Sequence, residues 1–382
     1  MNNFDVIVIG AGSVGVPTAM SLAENKIKTL VIDINSSPGQ DNNKKAIGGV
    51  RATHSDFGKI SVSQRSIEIF STWKEKFGDD IGWISNGYSY PAYNEEDEKK
   101  LKDLMKIQKS FNLDIKWLSK EEYLELVPGI NSKGLRGSTY SQYDGSCSPL
   151  LAINAFYFKS LEYGAQYKFE ERVIDIAKAN DKFLVTTNKG KYYSKQIINA
   201  AGGYAKEIGE MVGCKLPVNP DNHEAAISEP MKRFFGPMVV DMRPGKDSKN
   251  YYFYQNSEGQ VVFCITPDPS IEGIDSDSTS GFFPSVAKRM VELYPKLAAI
   301  KIRRSWRGQY PMTPDGFPIV GRFKAIPNYI NAVGMSGQGF MLGPGLGELL
   351  TRIVMNTETE NDLRTLKSFD LYRDFSGMEA FK

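Results

Sequence analysis

The chain has 382 residues, 41% of them hydrophobic and 24% charged, a globular composition long enough for more than one domain. Its 47 basic and 45 acidic residues nearly cancel, so nucleic acid and anionic membrane are not expected as main partners. The three cysteines, Cys147, Cys214 and Cys264, are far apart with no CxxC spacing, and His54 and His223 are the only histidines, which argues against a disulfide framework, a zinc site and a His-rich metal centre; no metal is expected.

No apolar run nears the roughly 18 residues of a membrane span, and the first strand follows Met1 too closely for a secretory signal. A cytoplasmic setting is expected, with peripheral membrane attachment left open.

Residues 5–9 form a β-branched run without helical period, expected as a strand buried on both faces. It enters Gly10-Ala11-Gly12-Ser13-Val14-Gly15, a GxGxxG turn leading into a helix. Gly10 permits the tight turn, Gly12 a close approach to a pyrophosphate, and Gly15 close packing of helix on strand. A second strand, residues 29–32, ends in Asp33, placed to accept hydrogen bonds from a ribose hydroxyl. A carboxylate there disfavours a 2′-phosphate, leaving FAD and NAD open.

Residues 35–45 read as a polar loop. The paired glycines Gly48 and Gly49, with Arg51 and His54 just beyond, read as a flexible turn or as backbone against a cofactor ring with positive charge beside it. Helices are expected over 61–77 and 95–111, the second with an acidic start and a basic end suited to the helix dipole. A strand is expected over 84–93, and Ser119 with Glu122 opens another helix by the capping-box pattern. Residues 140–149 read as turns. A helix from about Leu150 precedes three antiparallel strands, 171–176, 183–187 and 192–193. A fourth strand, 196–199, enters Ala200-Ala201-Gly202-Gly203 and a helix over 205–212.

From 217 to 305 the texture is that of an antiparallel sheet, with strands at 225–228, 238–242, 251–254 and 261–265 and one helix over 284–293. Alternation along 251–254 turns Tyr252 and Tyr254 to one face. The last part returns to glycine: a run from Trp306 to Gly321, a strand at 329–333, then Gly334-Met335-Ser336-Gly337-Gln338-Gly339-Phe340-Met341 ahead of a helix over 348–355.

Four segments together resemble the D-amino acid oxidase superfamily, in the branch of glycine oxidase, sarcosine oxidase and dye-linked proline dehydrogenase. They are the N-terminal glycine motif, Asn199-Ala200-Ala201-Gly202, Pro311-Met312-Thr313-Pro314-Asp315-Gly316 and residues 334–340. The resemblance spans essentially the whole chain. It implies an α/β plus α+β fold: a Rossmann-like FAD-binding domain of the glutathione-reductase type, from 1–83, 145–216 and 305–382, and a substrate-binding domain on an antiparallel sheet, from 84–144 and 217–304. It places the FAD pyrophosphate over Gly10, Gly12, Ser13, Val14 and Gly15, the ribose on Asp33 and the adenine at Val173. Ala201 and Gly202 would lie beside the pyrophosphate, Gly49 and Arg51 near the flavin, and Gly337, Gln338, Gly339, Phe340 and Met341 at its pyrimidine edge.

The departures from that branch shape the rest of the expectation. Gly308 stands where some relatives carry a flavin-linking cysteine, so FAD is expected to be non-covalent. The usual carboxylate-gripping cations are replaced by His54, Met341 and Tyr310, so a clamp would be rebuilt from Arg51, His54, Tyr252 or Arg307. Arg51, His54, Tyr252 and Tyr310 are the expected catalytic residues. Cys264 stands where those relatives carry the lysine that speeds reaction with oxygen, so of the electron acceptors oxygen, a quinone or an electron-transfer subunit, the latter two are favoured over oxygen. The expected activity is hydride transfer to FAD from an amino acid, a secondary amine such as proline or an N-methyl amino acid being favoured. The alternatives are a 2-hydroxy-acid dehydrogenase and a flavin-carrying subunit of a hetero-oligomeric electron-transfer complex.

Overall fold

The computed structural model describes residues 2–377 and Glu379; Met1, Met378 and residues 380–382, which fall inside the segments expected for the first domain, lie outside the described residues. Strand β1 (Asn3–Ile9), helix α1 (Gly15–Glu24) and strand β2 (Thr29–Ile32) form where the alternation and the glycine turn place them. They nucleate an eight-stranded sheet in which β1 runs parallel to β2 and to Lys191–Asn199, and the latter parallel to Ile326–Val333. Val6, Ile7 and Val8 are fully buried, as a strand covered on both faces requires. Because β1 sits between strands reached by connections on either side, its C-terminal end opens a crevice of the kind in which open α/β sheets bind ligands.

The second sheet is also eight-stranded, in the order Ile302–Met312, Asn219–Ser228, Val261–Pro267, Ser248–Gln255, Met238–Asp241, β4 (Tyr88–Ala92), Gly137–Ser141 and Lys116–Ser119. All its pairings are antiparallel except that of Met238–Asp241 with β4. A small antiparallel pair, β3 (Gly49–Val50) with Gly145–Ser146, stitches the chain between the two sheets.

Several elements differ from the sequence expectation. Residues 192–193 and 196–199 belong to one strand, Lys191–Asn199, whose first half pairs with Lys182–Thr187 and whose second half pairs with β1. The loop at 35–45 contains a helical turn, α2 (Asn42–Lys45). Helix α3 (Phe57–Phe77) starts before residue 61 because Asp56 caps it, accepting from Gly58 N at 2.7 Å and Lys59 N at 3.2 Å. The strand at 84–93 is confined to β4, with Ile84 bridging Ser146. Strand Ile302–Met312 pairs along its length with Asn219–Ser228 in the second sheet, so a boundary at residue 305 cuts through a strand.

The largest difference is the last long helix, Gly339–Met355, which begins nine residues before 348 in spite of Gly343, Gly345, Gly347 and Pro344. The glycines are used for close approach. A Cβ on Gly343 would lie 1.9 Å from Ser13 O, one on Gly345 2.3 Å from Val62 O, and one on Gly347 2.8 Å from Pro17 O. Pro344 cannot continue the backbone ladder, and the N–H of Gly345 is instead taken at 2.9 Å by the Ser66 hydroxyl of α3. The helices seated on α1 and α3 thereby hold the glycine turn from behind.

Candidate active site

A cavity of about 470 Å³ lies between the two sheets at the C-terminal end of β1. Of the residues expected at the cofactor, Gly10, Gly12, Ser13, Val14, Asp33, Gly49, Arg51, Val173, Ala201, Gly202, Gly308, Gly337, Gln338, Gly339, Phe340 and Met341 all line it. Gly15 does not. Its Cβ would fall 1.8 Å from Gly10 O, so its work is to let α1 pack against the turn. Gly12 is the opposite case, for a Cβ there meets nothing within 4 Å and would project into open space.

The wall from the first sheet is chemically suited to an anion. Among the described residues no side chain caps α1 or the helix Gly339–Met355; in α1 Pro17 has no N–H and Val16 donates to Gly12 O at 3.1 Å, so the backbone N–H groups offered to the cavity are those of the turn residues Gly12 and Ser13 and of Gly339 and Phe340 at the start of the last long helix. Gln338 Oε1 is buried without a hydrogen-bond partner among the described residues. Asp33 accepts Ala11 N–H on Oδ2 at 2.6 Å and both N–H groups of Asn35 on Oδ1, at 2.7 Å and 3.0 Å. Burial raises its pKa against those bonds. The acid thus fixes the glycine turn and retains lone pairs for a hydroxyl. The residues present fit a dinucleotide with a pyrophosphate.

The wall from the second sheet is phenolic and apolar. Tyr252 and Tyr310 share a hydrogen bond at 3.0 Å, and burial raises both phenols far above neutrality, so both stay protonated. Beside them, β4 contributes Tyr88 and Tyr90, and the neighbouring strand Met238 and Val240. These were not singled out from the sequence. The signal was there as period-2 spacing, Tyr-x-Tyr and Met-x-Val-x-Met, which turns each set to one face of its strand.

Arg51 lines the cavity and is itself 7% exposed. Its Nη1 donates to Thr53 O and, at 3.2 Å, to His54 Nδ1. Burial opposes its charge, yet Tyr90, Glu379, Tyr88 and Asp144 hold its pKa above the ordinary arginine value. His54 is a correction: it is fully buried and does not line the cavity. Burial, then the charges of Arg51 and Lys59, push its pKa well below the ordinary histidine value. The neutral ring accepts from Arg51 and orients that guanidinium, while Gln108 holds the His54 carbonyl at 3.0 Å.

Arg307 is also outside the lining; it is buried and pairs with Asp275 at 3.1 Å. Cys264 lies opposite Tyr252 in the strand register and does not reach the cavity, and burial pushes its thiol up to about 12. His223, given no role from the sequence, stacks on Tyr310 with centroids 3.7 Å apart and sits 3.4 Å from Asp221. No helix among the described residues is long and apolar enough to cross a membrane.

The model of a protein family named DAO, described as FAD dependent oxidoreductase, matches residues 5–353. Among curated proteins the chain is 25% identical over 370 residues to a glycine oxidase of Geobacillus kaustophilus, covering 95% of this chain and 96% of that protein. It is 25% identical over 350 residues to an opine oxidase subunit of Rhizobium meliloti, covering 86% and 87%. Among solved structures, that of L-proline dehydrogenase from P. horikoshii superposes with a TM-score of 0.91 at 29% identity, over 97% of this chain and 98% of that one.

Proposed function

The chain belongs to the DAO family of FAD-dependent oxidoreductases, and from that premise we propose that it oxidises an amino acid at its α-carbon, a secondary amine such as proline or an N-methyl amino acid being favoured. The observation that carries this reading is the juxtaposition, across one cavity, of two uncapped helix N-termini with a wall of phenols, methionines and Arg51. The names of the similar proteins, glycine oxidase and L-proline dehydrogenase, point the same way.

FAD, when bound, supplies a two-electron hydride acceptor. The chain does the rest. Gly12 and Ser13 offer backbone N–H groups to the pyrophosphate, and Asp33 offers its carboxylate to the ribose. Met238 and Val240 exclude water and favour the neutral amine, the form that can give up hydride. Of Tyr252 and Tyr310 one O–H is spent on the other, and the pair presents its remaining O–H donor to a substrate carboxylate. Arg51 holds a fixed positive charge where negative charge develops. Of the four side chains considered for a carboxylate clamp, Arg51 and Tyr252 are the two that line the cavity. Gly308 offers no side chain for attachment, so acid precipitation is expected to release the flavin into the supernatant.

The test is anaerobic bleaching of the flavin absorbance with a panel of L- and D-amino acids, N-methyl amino acids and 2-hydroxy acids. Bleaching by secondary amino acids supports the reading, and bleaching by hydroxy acids alone sinks it. Slow recovery in air is expected, because Cys264 brings no positive charge to the cavity.

A second reading, a flavin-carrying subunit of a hetero-oligomer in the cytoplasm, is favoured by an exposed apolar stripe on the helix Pro149–Glu162. There Leu151 is 50% and Phe158 60% exposed, with Leu150 and Leu161 beside them. The name of the opine oxidase relative, itself one subunit of an enzyme, agrees with it. A monomer in size-exclusion chromatography, fully active alone with an artificial acceptor, would remove it.

A further inference from the structure

Asp144 belongs to none of the glycine motifs, yet its side chain holds the backbone of the residue next to Arg51. It lies on the turn between Gly137–Ser141 and Gly145–Ser146 and is 1% exposed. Its Oδ1 accepts the N–H of Ala52 at 2.8 Å, and its backbone carbonyl accepts the N–H of Gly87 at 2.8 Å. Oδ2 makes no well-formed hydrogen bond among the described residues, although the hydroxyls of Ser141 and Thr53 favour the charged carboxylate. The register Gly49↔Ser146 and Val50↔Gly145 ties this turn to the segment that presents Arg51 to the cavity.

The groups that face Asp144 leave it as the adjustable charge of the cluster. Arg51 remains charged. Tyr88 and Tyr90 from β4 and Tyr140 from the neighbouring strand are phenols that burial keeps protonated. His54 is held neutral, and beyond Arg51 the buried Lys59 and Glu379 neutralise each other at 3.0 Å. Burial pushes the Asp144 carboxyl up to about 7, opposed by the Ala52 N–H and by Arg51.

We propose that Asp144 is the positioning residue for Arg51 and its proton-linked counter-charge: it fixes the backbone that carries Arg51 and takes a proton onto Oδ2 when reduction brings negative charge into the cavity. The substrate's hydride carries both electrons. The extra proton comes from solvent and converts the Asp144 carboxylate to the acid, with no bond broken at carbon and no electron passing through Asp144. The inference rests on FAD occupying the cavity beside Arg51, not on the identity of the substrate.

The test is therefore made on the purified holoenzyme without substrate, by measuring the flavin midpoint potential between pH 5.5 and 9 with a chemical reductant and a reference dye. Wild type is expected to show, above about pH 7, an additional tenfold change in the reduction equilibrium per pH unit, about 30 mV for a two-electron couple, beyond the slope of the flavin's own protons. In Asp144→Asn the extra slope disappears. Its potential matches wild type at pH 6 and lies above it at pH 8.5, because the uncharged amide removes one of the negative charges that act on Arg51. Asp144→Glu retains the slope. Equal slopes in wild type and Asp144→Asn, or a shift of the same size at every pH, would overturn the proposal. Should Asp144→Asn fail to fold, the absence of any inflection in wild type above pH 7 overturns it as well.

Discussion

Single side chains in this protein divide into those that shape backbone and those that face the ligand, and the glycine turn shows both. A Cβ on Gly12 meets nothing within 4 Å among the described residues, so the apoprotein of Gly12→Ala is expected to keep its melting temperature. FAD binding should weaken by about five- to a hundred-and-fifty-fold, the affinity equivalent of an overpacking cost of about 1–3 kcal/mol; isothermal titration with FAD measures it. Gly15→Ala, with its Cβ 1.8 Å from Gly10 O, is expected to lower the melting temperature of the apoprotein itself. Asp144 gives a pH-dependent counterpart. Its carboxyl is raised in the folded state from 3.8 to about 7, so the folded protein holds a proton that the unfolded chain has lost. Stability from the neutral form is complete below about pH 4 and is lost as pH rises through 7. Urea denaturation of wild type and Asp144→Asn should show the wild type falling behind by up to about 1.4 kcal/mol per pH unit across that window. Glu379→Gln leaves Lys59, which is fully buried, without its counter-charge and with Gly316 O at 2.7 Å and the Phe317 ring at 4.7 Å as neighbours. A loss of about 3–5 kcal/mol is expected in the same assay.

At the scale of elements, the helix Gly339–Met355 decides how the turn is presented. Its glycines lie against α1 and α3, and its first turn reaches the cavity. Gly343→Ala is expected to drive Ser13 forward, lowering both thermal stability, by about 1–3 kcal/mol, and the affinity for FAD. A variant that loses stability and binds FAD normally would show that the helix and the turn are not coupled. The capping boxes of Ser119 with Glu122 and Thr359 with Asp362 form as the residue spacing dictates, since each depends on contacts only three residues apart. The helix start at Gly339 could not be read in that way. Gly343, Pro344 and Gly345 are helix breakers by local propensity, and only the neighbours at Ser13, Val62 and Ser66 turn them into close-packing positions.

Across the whole molecule, the cavity lies between two sheets whose strands alternate along the chain. Filling it joins parts that otherwise meet through β3 and a few crossing segments. FAD binds the folded state alone, so at a free concentration one hundred times its Kd it should add about 2.7 kcal/mol. Differential scanning calorimetry of the holoprotein and the acid-stripped protein should show one transition that rises with added FAD. Two transitions, one of them insensitive to FAD, would mean that the sheets unfold separately.

Residues 5–33 by themselves determined the strand, turn, helix and second strand, with Asp33 at its end, because each of those signals acts over a few residues of backbone. The same is true of the alternating strands between 217 and 305 and of the amphipathic helix Glu95–Ser110. The family, and with it FAD, was legible because the four glycine-rich segments keep their order. Tertiary structure alone placed His54 behind Arg51 instead of in the cavity, joined residues 191–199 into one strand, and put Ile302–Met312 at the edge of the second sheet. It also brought Asp144 to Ala52, across 92 residues of chain. A burial or a charge of this kind is a property of neighbours distant in sequence, and no local pattern of side chains encodes it.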